Sequence, residues 1–386
     1  MADVIEMMTS SNGYTTNQKK IDMHPYAIKN YAPINPLTVI LDRIRKMTAI
    51  NTNVKWIEEE EMPTLLIATA YHSNSTTTLT STYVDYLRHE DLIMNAMTDE
   101  YLTVYDTDID ADDTSVTVAR GQCGSTADVI NVGDMLILLP SAKTEGADYV
   151  TDRAVKDSEY YNLTQVVNDF TSISKSTNGE ATWFGPQRQI NIRKMRDANY
   201  KKIEKLLYWG QRSAATTGTG AHGRTMGGLL WRLASGTNVL DANGILTETK
   251  LDAFLSSYRE SAPDSTKLIL LCPERMRGII NRFAKGLIRL TGKENEYGID
   301  IHKYIGAIEL DIVVAPLMAG NGLNHRAFLL DMDRIALKWL KGRSPKILFN
   351  STNSEDPEFI RDKFEAELTM LIMTTKYHAY IKNARA

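Results

Sequence analysis

The segment that comes nearest to a cofactor motif is a glycine-rich hexapeptide, Gly218-Thr-Gly-Ala-His-Gly223. Its glycine spacing is that of a dinucleotide-binding loop, in which the backbone closely approaches a pyrophosphate. Such a loop follows a strand and opens a helix, whereas this hexapeptide follows a long helical segment. We therefore expect a flexible turn that lets the chain leave the helix, and no bound cofactor.

Acidic residues alternate in one segment, which contains Asp106, Asp108, Asp110 and Asp112. In an extended strand their carboxylates share one face and could hold a hard cation. The EF-hand pattern, however, needs a glycine and a bidentate acid where this sequence has Ala111 and Thr117. We expect a solvated acidic hairpin there, and the scattered histidines and cysteines predict no zinc or other metal site.

The sequence contains no GxSxG nucleophile elbow and no GxxxxGK[ST] phosphate-binding loop. Its two cysteines cannot form a disulfide framework, so a reducing cytoplasm is the expected folding compartment. The 44 basic and 48 acidic residues give a formal charge of −4, far from the basic composition of a protein that grips nucleic acid. These features predict a protein that is not an enzyme.

The length of 386 residues, 43% of them hydrophobic, favours two or three folded domains. No apolar run reaches the roughly 18 to 20 residues that span a bilayer, so no membrane partner is expected. The first eleven residues have no basic flank and no apolar stretch, so we also expect no export signal.

Residues 1–50 show no sustained hydrophobic period and predict an arm that becomes ordered against something else. Only the segment 36–46 has helical spacing within this arm. From Val54 to about Pro140, short apolar runs such as Ser115–Ala119 and Met135–Leu139 predict many strands. We interpret them as a small barrel or sheet of about 60 residues inserted in a larger fold.

A long helix is predicted from Gln187 to Ala214, where the only glycine is Gly210 and Pro186 precedes the first turn. About 25 helical residues span roughly 38 Å, which suits a strut. Seven basic residues crowd its surface, and they are as well suited to a local interaction as to simple solvation: Arg188, Arg193, Lys194, Arg196, Lys201, Lys202 and Lys205.

Helical and strand-like patterns alternate from 246 to 345 and predict an α/β lobe with a mixed sheet. Helical spacing at 251–258 and 276–283 flanks a strand-like run at 267–272. Further strands are expected at 308–314, 327–330, 335–340, 364–372 and 377–381. For the whole chain, the predicted fold class is α+β.

The order of these parts resembles the major capsid protein of tailed phages with the Hong-Kong-97 fold, in a subfamily whose extended loop carries a small β insertion. Trp56-Ile-Glu-Glu-Glu-Glu-Met62 resembles the start of that loop, and 118–127 with 132–134 resemble the insertion. Segments 145–147, 161–166 and 223–229 follow in the subfamily's order. The similarity runs from about residue 50 to the end, and the first 45 residues lie outside it.

The resemblance implies five parts. They are an N-terminal arm (1–50), an extended loop with a β-rich insertion at about 80–140 and a return to the peripheral domain (51–185), a peripheral domain with a long spine helix (186–245), an α/β axial domain (246–345) and C-terminal strands that return to the peripheral domain (346–386).

The function implied is a structural one. Identical subunits form hexamers and pentamers of an icosahedral shell around packaged double-stranded DNA, which they contact without sequence specificity. The shell is assembled in the host cytoplasm and becomes the capsid of the virion. Portal proteins and scaffolding or decoration proteins are the other implied partners. Some relatives cross-link their subunits covalently, but no motif for this occurs here, so we predict noncovalent assembly.

Two groups of residues are candidates for contacts between copies. The acidic run Glu58, Glu59, Glu60 and Glu61 is either a solvated strand end or a negative surface that meets basic residues of an adjacent copy. The candidates for those basic residues are Arg193, Arg196 and Lys201, and Trp56 is expected to add apolar contact area. A polar segment with Lys293, Glu294, Glu296 and Tyr297 is either an ordinary loop or the part nearest a symmetry axis.

Two alternatives remain open at this point. An encapsulin-like compartment shares the fold but holds enzyme cargo, and DNA inside purified shells would distinguish a capsid from it. A ligand-binding α/β enzyme could be built on the 246–345 lobe, because its helix and strand order is unspecific. An enzyme would elute from a size-exclusion column as a small oligomer and a shell protein as capsomers or larger particles.

Overall fold

The structure is a computed structural model of the chain. It describes residues 35–44, 46–59, 61–107, 109, 113–141, 157–180, 186–283, 294–296, 299–305, 308–350 and 358–385. The chain divides into two compact units. We call residues 1–56 and 161–386 the body, and residues 57–160 the β unit.

Six α-helices occur within the described residues. They are α1 (Pro36–Ile44), α2 (Lys175–Gly179), α3 (Gln187–Trp209), α4 (Leu229–Leu233), α5 (Glu248–Ser261) and α6 (Glu274–Phe283). The segment after α3 returns to the end of the helix, where the N–H of Gly228 donates to the carbonyl of Gly210 at 2.9 Å. A Cβ at Gly210 would lie 2.6 Å from the Leu206 carbonyl oxygen, so glycine is required where α3 ends.

None of these helices combines enough length with enough apolar sequence to span a bilayer.

Twenty strands complete the described secondary structure. They are β1 (Lys46–Ala49), β2 (Asn53–Glu58), β3 (Leu65–Ile67), β4 (Thr78–Thr80), β5 (Leu92–Asn95), β6 (Tyr101–Val104), β7 (Ser115–Gln122), β8 (Met135–Leu139), β9 (Ser158–Leu163), β10 (Gln165–Ser174), β11 (Val239–Ile245), β12 (Leu268–Cys272), β13 (Glu294–Glu296), β14 (Ile299–Ile305), β15 (Glu309–Val314), β16 (Ala327–Asp331), β17 (Ile335–Leu340), β18 (Lys346–Leu348), β19 (Phe359–Ile372) and β20 (Ala379–Arg385).

One sheet of the body has the order β1-β17-β19-β10, and β18 also pairs with β19. The apolar faces of α1 and α3 pack on the same core as this sheet through Leu37, Leu41, Ile203 and Leu207. β19 is buried almost continuously along its C-terminal half, because Met370 and Ile372 face the core shared with the helices while Leu371 on the opposite face packs in a second, smaller core. This core therefore fixes the long helix to the sheet.

The second sheet of the body has the order β11-β20-β16-β12-β15-β14-β13. It mixes parallel pairs, such as β12 with β15, and antiparallel pairs, such as β12 with β16. Leu251, Leu255 and Tyr258 of α5 and Ile279 and Ile280 of α6 pack on its buried side chains. The predicted mixture of helices with a mixed sheet is confirmed.

The β unit contains a six-stranded sheet with the order β3-β8-β5-β6-β7-β4. Alternate side chains of its strands point to one apolar core, which includes Leu66, Ile93, Leu102, Val116 and Leu136. A separate two-stranded ladder pairs β2 with β9, the strands that contain the boundaries of the unit. The unit thus has a hydrophobic core of its own.

Candidate assembly surfaces

The acidic run that was predicted to contact another copy begins at the end of β2. Trp56 is half-buried and packs against Ala49, Val54, Ala336 and Leu371, so part of its ring already belongs to a small core of its own chain. Glu58 is partly exposed, Glu59 and Glu61 are exposed, and Glu60 lies outside the described residues. Next to them the side chains of Ile57 and Met62 are 69% and 52% exposed.

All three predicted basic partners belong to α3, but helical geometry places Lys201 on a different side of the helix from Arg196. The Arg196 side chain is half-exposed and its Nη2 lies 3.5 Å from Oδ1 of Asp197. Arg193 and Lys201 are partly buried. The adjacent Lys202 forms an ion pair of 2.6 Å with Asp169 of β10, so it is less available than Arg196 for a contact with another molecule.

The segment that was predicted to lie nearest a symmetry axis is only partly described. Lys293 and Tyr297 lie outside the described residues. Glu294 and Glu296 belong to β13, which pairs antiparallel with β14 at the end of the seven-stranded order. The described part of this segment, Glu294–Glu296, is therefore one strand of a β-hairpin.

The structure describes one of the two motifs considered for ligand chemistry and only part of the other. The glycine-rich hexapeptide lies between α3 and α4, with Gly218 and Gly220 at positive φ, as the turn prediction required. Asp106 follows β6, and Asp108, Asp110 and Asp112 lie outside the described residues. Within the described part of the chain, no group of three or more His, Cys, Asp or Glu side chains could hold a metal ion.

Both ends of α3 are fixed by buried carboxylates that sequence analysis did not identify. Near its start, Arg188 donates from Nε and Nη2 to the two oxygens of Asp362, each at 2.7 Å, and Asp362 is buried on β19. The Arg188 guanidinium holds the pKa of Asp362 below its usual range. Arg188 and Asp362 are far apart in the sequence, so residue spacing could not predict this pair.

Near the end of α3, Glu204 is fully buried and accepts four hydrogen bonds. The backbone N–H groups of Leu37 and Thr38 donate to its two oxygens at 2.8 Å each. The hydroxyls of Thr38 and Tyr208 donate to the same carboxyl. Glu204 therefore caps the first turn of α1 from another helix, and its burial raises its pKa.

Glu367 on β19 joins three other segments of the body. It is 1% exposed and accepts hydrogen bonds from the Thr164 hydroxyl at 2.6 Å, from Arg343 at 2.8 Å and from Arg224. Burial alone would raise the pKa of Glu367, but these donors outweigh it and hold the pKa below the usual value. The contact fixes the loop that follows α3 to the sheet.

A charged pair also lies inside the β unit. Glu100 is fully buried, and the Nε and Nη2 of Arg120 donate to its two oxygens at 2.7 Å each. The N–H groups of Gly121 and Asp128 donate to the same carboxylate. Arg120 also donates to the carbonyl oxygens of Ser73, Thr76 and Asp128. Every polar group of this pair thus has a partner across four separate segments.

His378, which precedes β20, is buried and its Nδ1 accepts the N–H of Asp331 at 3.2 Å. Burial lowers the pKa of His378 to about 4. Because the pKa of His378 is lower in the folded chain than in the unfolded chain, the neutral side chain contributes to stability above about pH 6.5. This contribution is lost as the pH falls toward the pKa of His378 in the folded chain.

We therefore expect the free energy of unfolding of the wild type to fall by about 3 kcal/mol more than that of His378→Asn between pH 7 and pH 4. Asparagine retains an acceptor for the Asp331 N–H but does not titrate. Urea unfolding of both proteins at several pH values measures the difference. Equal pH dependence of the two would show that His378 titrates normally.

The near-neutral charge of the chain hides a strong separation of charge. The β unit has 21 acidic and 5 basic residues, a formal charge of −16. The body has 27 acidic and 39 basic residues, a formal charge of +12. The sequence contains this signal, but it is visible only when the charges are counted separately for the two units.

Comparison with solved structures identifies the class of fold. The capsid subunit of cyanophage A-1(L) is similar at 11% identity, with a TM-score of 0.51, over 96% of this chain and 99% of that one. A capsid chain of a native GTA particle is similar at 7% identity, with a TM-score of 0.50, over 99% and 100% of the two chains. The SrpI encapsulin of Synechococcus elongatus PCC 7942 has 14% identity and a TM-score of 0.44, over 61% and 78%.

The fold is thus that of phage capsid subunits, the Hong-Kong-97 type. The model of the SU10 major capsid protein family matches residues 10–385, and the chain belongs to this family. No curated protein matches the sequence.

Membership in this family establishes the function in outline. The chain is a major capsid protein, and it forms the icosahedral head shell of a bacteriophage. It is located in the capsid of the virion and is a structural protein rather than an enzyme. The recognised resemblance to tailed-phage capsid proteins is confirmed.

Proposed function

We propose that copies of this chain assemble without covalent cross-links into hexamers and pentamers around packaged double-stranded DNA. Portal proteins and scaffolding or decoration proteins complete the particle, and the DNA is contacted without sequence specificity. The observation that supports the proposal is the β unit, which has a hydrophobic core of its own. The chain passes into it through β2 and out of it through β9. A unit carried on such a loop suits contacts with neighbouring copies.

We also propose the five parts that the family resemblance implies. α3 has the length and the sheet contacts of a spine helix, and β2 with β9 forms the stem of an extended loop. The β insertion is proposed to be a closed barrel, because Ala68 bridges Ser81 and so links β3 back toward β4. The lobe with β12 to β16 is proposed as the axial domain, with the β13–β14 hairpin as the part nearest an axis. Its sheet also includes β11 and β20, which lie outside 246–345, and β17 belongs to the other sheet.

Between copies, we propose that the acidic run Glu58–Glu61 lies over Arg193, Arg196 or Lys201 of an adjacent α3. Exposed pairs contribute only about 0 to 1 kcal/mol each, so they set the register of the contact more than its strength. The exposed side chains of Ile57 and Met62, with the accessible part of Trp56, supply the apolar area.

A charge reversal tests this contact. Glu59→Lys should reduce shell formation several-fold at moderate salt, because it places a cation against Arg196, and adding Arg196→Glu should restore it. Glu260→Lys, at an exposed position of α5, is the matched control. Sedimentation and negative-stain microscopy measure the assembled fraction. Full assembly of the single Glu59→Lys variant would exclude the contact, and DNA in purified particles distinguishes a phage head from an encapsulin-like compartment.

A further inference from the structure

The outward face of the six-stranded sheet in the β unit is apolar on the half formed by β3, β8 and β5, and polar on the half formed by β4 and β7. On β3, β8 and β5 the outward positions hold six aliphatic or thioether side chains, which we call the aliphatic face: Leu65, Ile67, Leu92, Met94, Met135 and Ile137. Leu65, Ile67 and Met135 are 48%, 48% and 46% exposed. They lie side by side, because Leu65 is opposite Ile137 and Ile67 is opposite Met135.

The other side of the same sheet is polar at the corresponding outward positions. Thr78 of β4 lies opposite Thr117 of β7, and Thr80 lies opposite Ser115. These hydroxyl side chains are the usual outward residues of a solvated sheet. The contrast within one sheet indicates that the aliphatic face is selected for contact with another surface, since soluble proteins rarely expose contiguous apolar patches.

Charge limits the choice of partner. With 21 acidic and 5 basic residues, the β unit repels a second β unit. The body of the same chain has 39 basic and 27 acidic residues, so it attracts the β unit of a different copy. Because the first and last strands of the sheet are linked by the Ala68–Ser81 bridge, the contact uses side chains rather than strand addition.

The body also displays an exposed apolar surface that contains an arginine. Phe170 of β10 is 58% exposed, and the Arg361 guanidinium lies 4.6 Å from its ring centroid. The same guanidinium lies 5.0 Å from the ring of Phe359, which is 37% exposed. We call these three residues the aromatic–arginine patch. It offers apolar area for the aliphatic face and a positive charge that the net negative β unit attracts.

We propose that the aliphatic face of one copy docks on the aromatic–arginine patch of another copy in the shell. This inference rests on the proposed assembly and specifies a contact within it. The aliphatic side chains and Phe170 supply the apolar centre, and the net negative charge of the β unit favours the approach of Arg361 on the second surface. The contact is directional, because neither surface is complementary to itself.

Lysine substitutions with a matched control test the proposal in the full chain. Ile67→Lys or Met135→Lys places a cation in the apolar centre and next to Arg361, so each should lower the assembled fraction about tenfold or more. Thr117→Lys adds the same charge on the polar side of the same sheet and should assemble as the wild type does. Phe170→Ser should lower assembly to a similar degree from the other side.

Thermal unfolding of every variant separates folding from assembly, since all four positions are exposed or outward-facing. Normal assembly of both Ile67→Lys and Met135→Lys, normal assembly of Phe170→Ser, or an equal loss with Thr117→Lys would each overturn the proposed contact. In those cases the wild type still forms shells. A wild type that forms no shells would instead contradict the assembly proposal itself.

Discussion

Replacing Arg120 with alanine is expected to lower the free energy of unfolding of the β unit by about 3 to 5 kcal/mol. The substitution leaves the carboxylate of Glu100 inside the unit without its cation, and Glu100 is fully buried. It also removes the donors to the carbonyls of Ser73 and Thr76, which fix a separate loop. A loss of this size is enough to unfold a unit of ordinary stability.

The expected unfolding is local to the β unit, because Arg120 and its partners all belong to residues 57–160. Hydrogen exchange in the full-length Arg120→Ala protein should show rapid exchange in β5 to β8 and unchanged protection in β19. The double variant Glu100→Leu with Arg120→Leu should be less destabilised than Arg120→Ala, because it leaves no buried charge. If the single and double variants lost equal stability, the uncompensated charge would not be the cause.

Local sequence patterns predicted the elements whose buried faces follow one period. Leu251, Leu255 and Tyr258 recur at helical spacing and lie in α5, and the alternating residues Leu310, Ile312 and Val314 lie in β15. Each of these elements has one strongly apolar face, so its sequence pattern does not depend on which element packs against it. The helical spacing that predicted α6 is confirmed in the same way, whereas β12, β16 and β17 were predicted from short apolar runs and are buried on both faces.

Other elements were missed because their pattern depends on distant neighbours. β10 runs from Gln165 to Ser174 with polar side chains such as Asn168 and Asp169, and it is recognisable only from its pairing with β19. β1 was not predicted, and its first residue, Lys46, was placed at the end of the helix before it, because Lys46–Ala49 acquires its strand conformation by pairing in parallel with β17. Pairing over almost 300 residues cannot be read from a local window.

The candidate surfaces were predicted to a similar extent. The acidic run is visible in the sequence because its residues are consecutive, and the basic residues of α3 are visible because they fall within one predicted helix. The pairs that fix the fold are separated by 20 residues for Glu100 with Arg120 and by 166 for Glu204 with Thr38, so no spacing rule reveals them. The aliphatic face depends on strand register, because only the cross-strand pairs bring Ile67 next to Met135.

Replacing Glu204 with leucine is expected to detach α1 from the body. The leucine accepts no hydrogen bond, so the N–H groups of Leu37 and Thr38 lose their partner in a buried site, and the hydroxyls of Thr38 and Tyr208 lose the same acceptor. Each such buried group costs about 1 to 3 kcal/mol, so the free energy of unfolding should fall by about 4 kcal/mol in total. Urea unfolding measures the total, and hydrogen exchange at 37–44 locates it.

The dependence of this loss on pH gives a sharper test of the same residue. Burial raises the pKa of Glu204, so its stabilising contribution is complete below the unfolded value of about 4.5 and is lost as the pH rises through the folded value. The difference in stability between the wild type and Glu204→Leu should therefore be larger at pH 5 than at pH 8. Thr38→Val is the control, because it removes one hydroxyl donor and keeps a carboxyl that still titrates, so its stability should still depend on pH. A difference that grows toward pH 8 would mean that Glu204 is stabilised as a carboxylate, and that its four donors outweigh its burial.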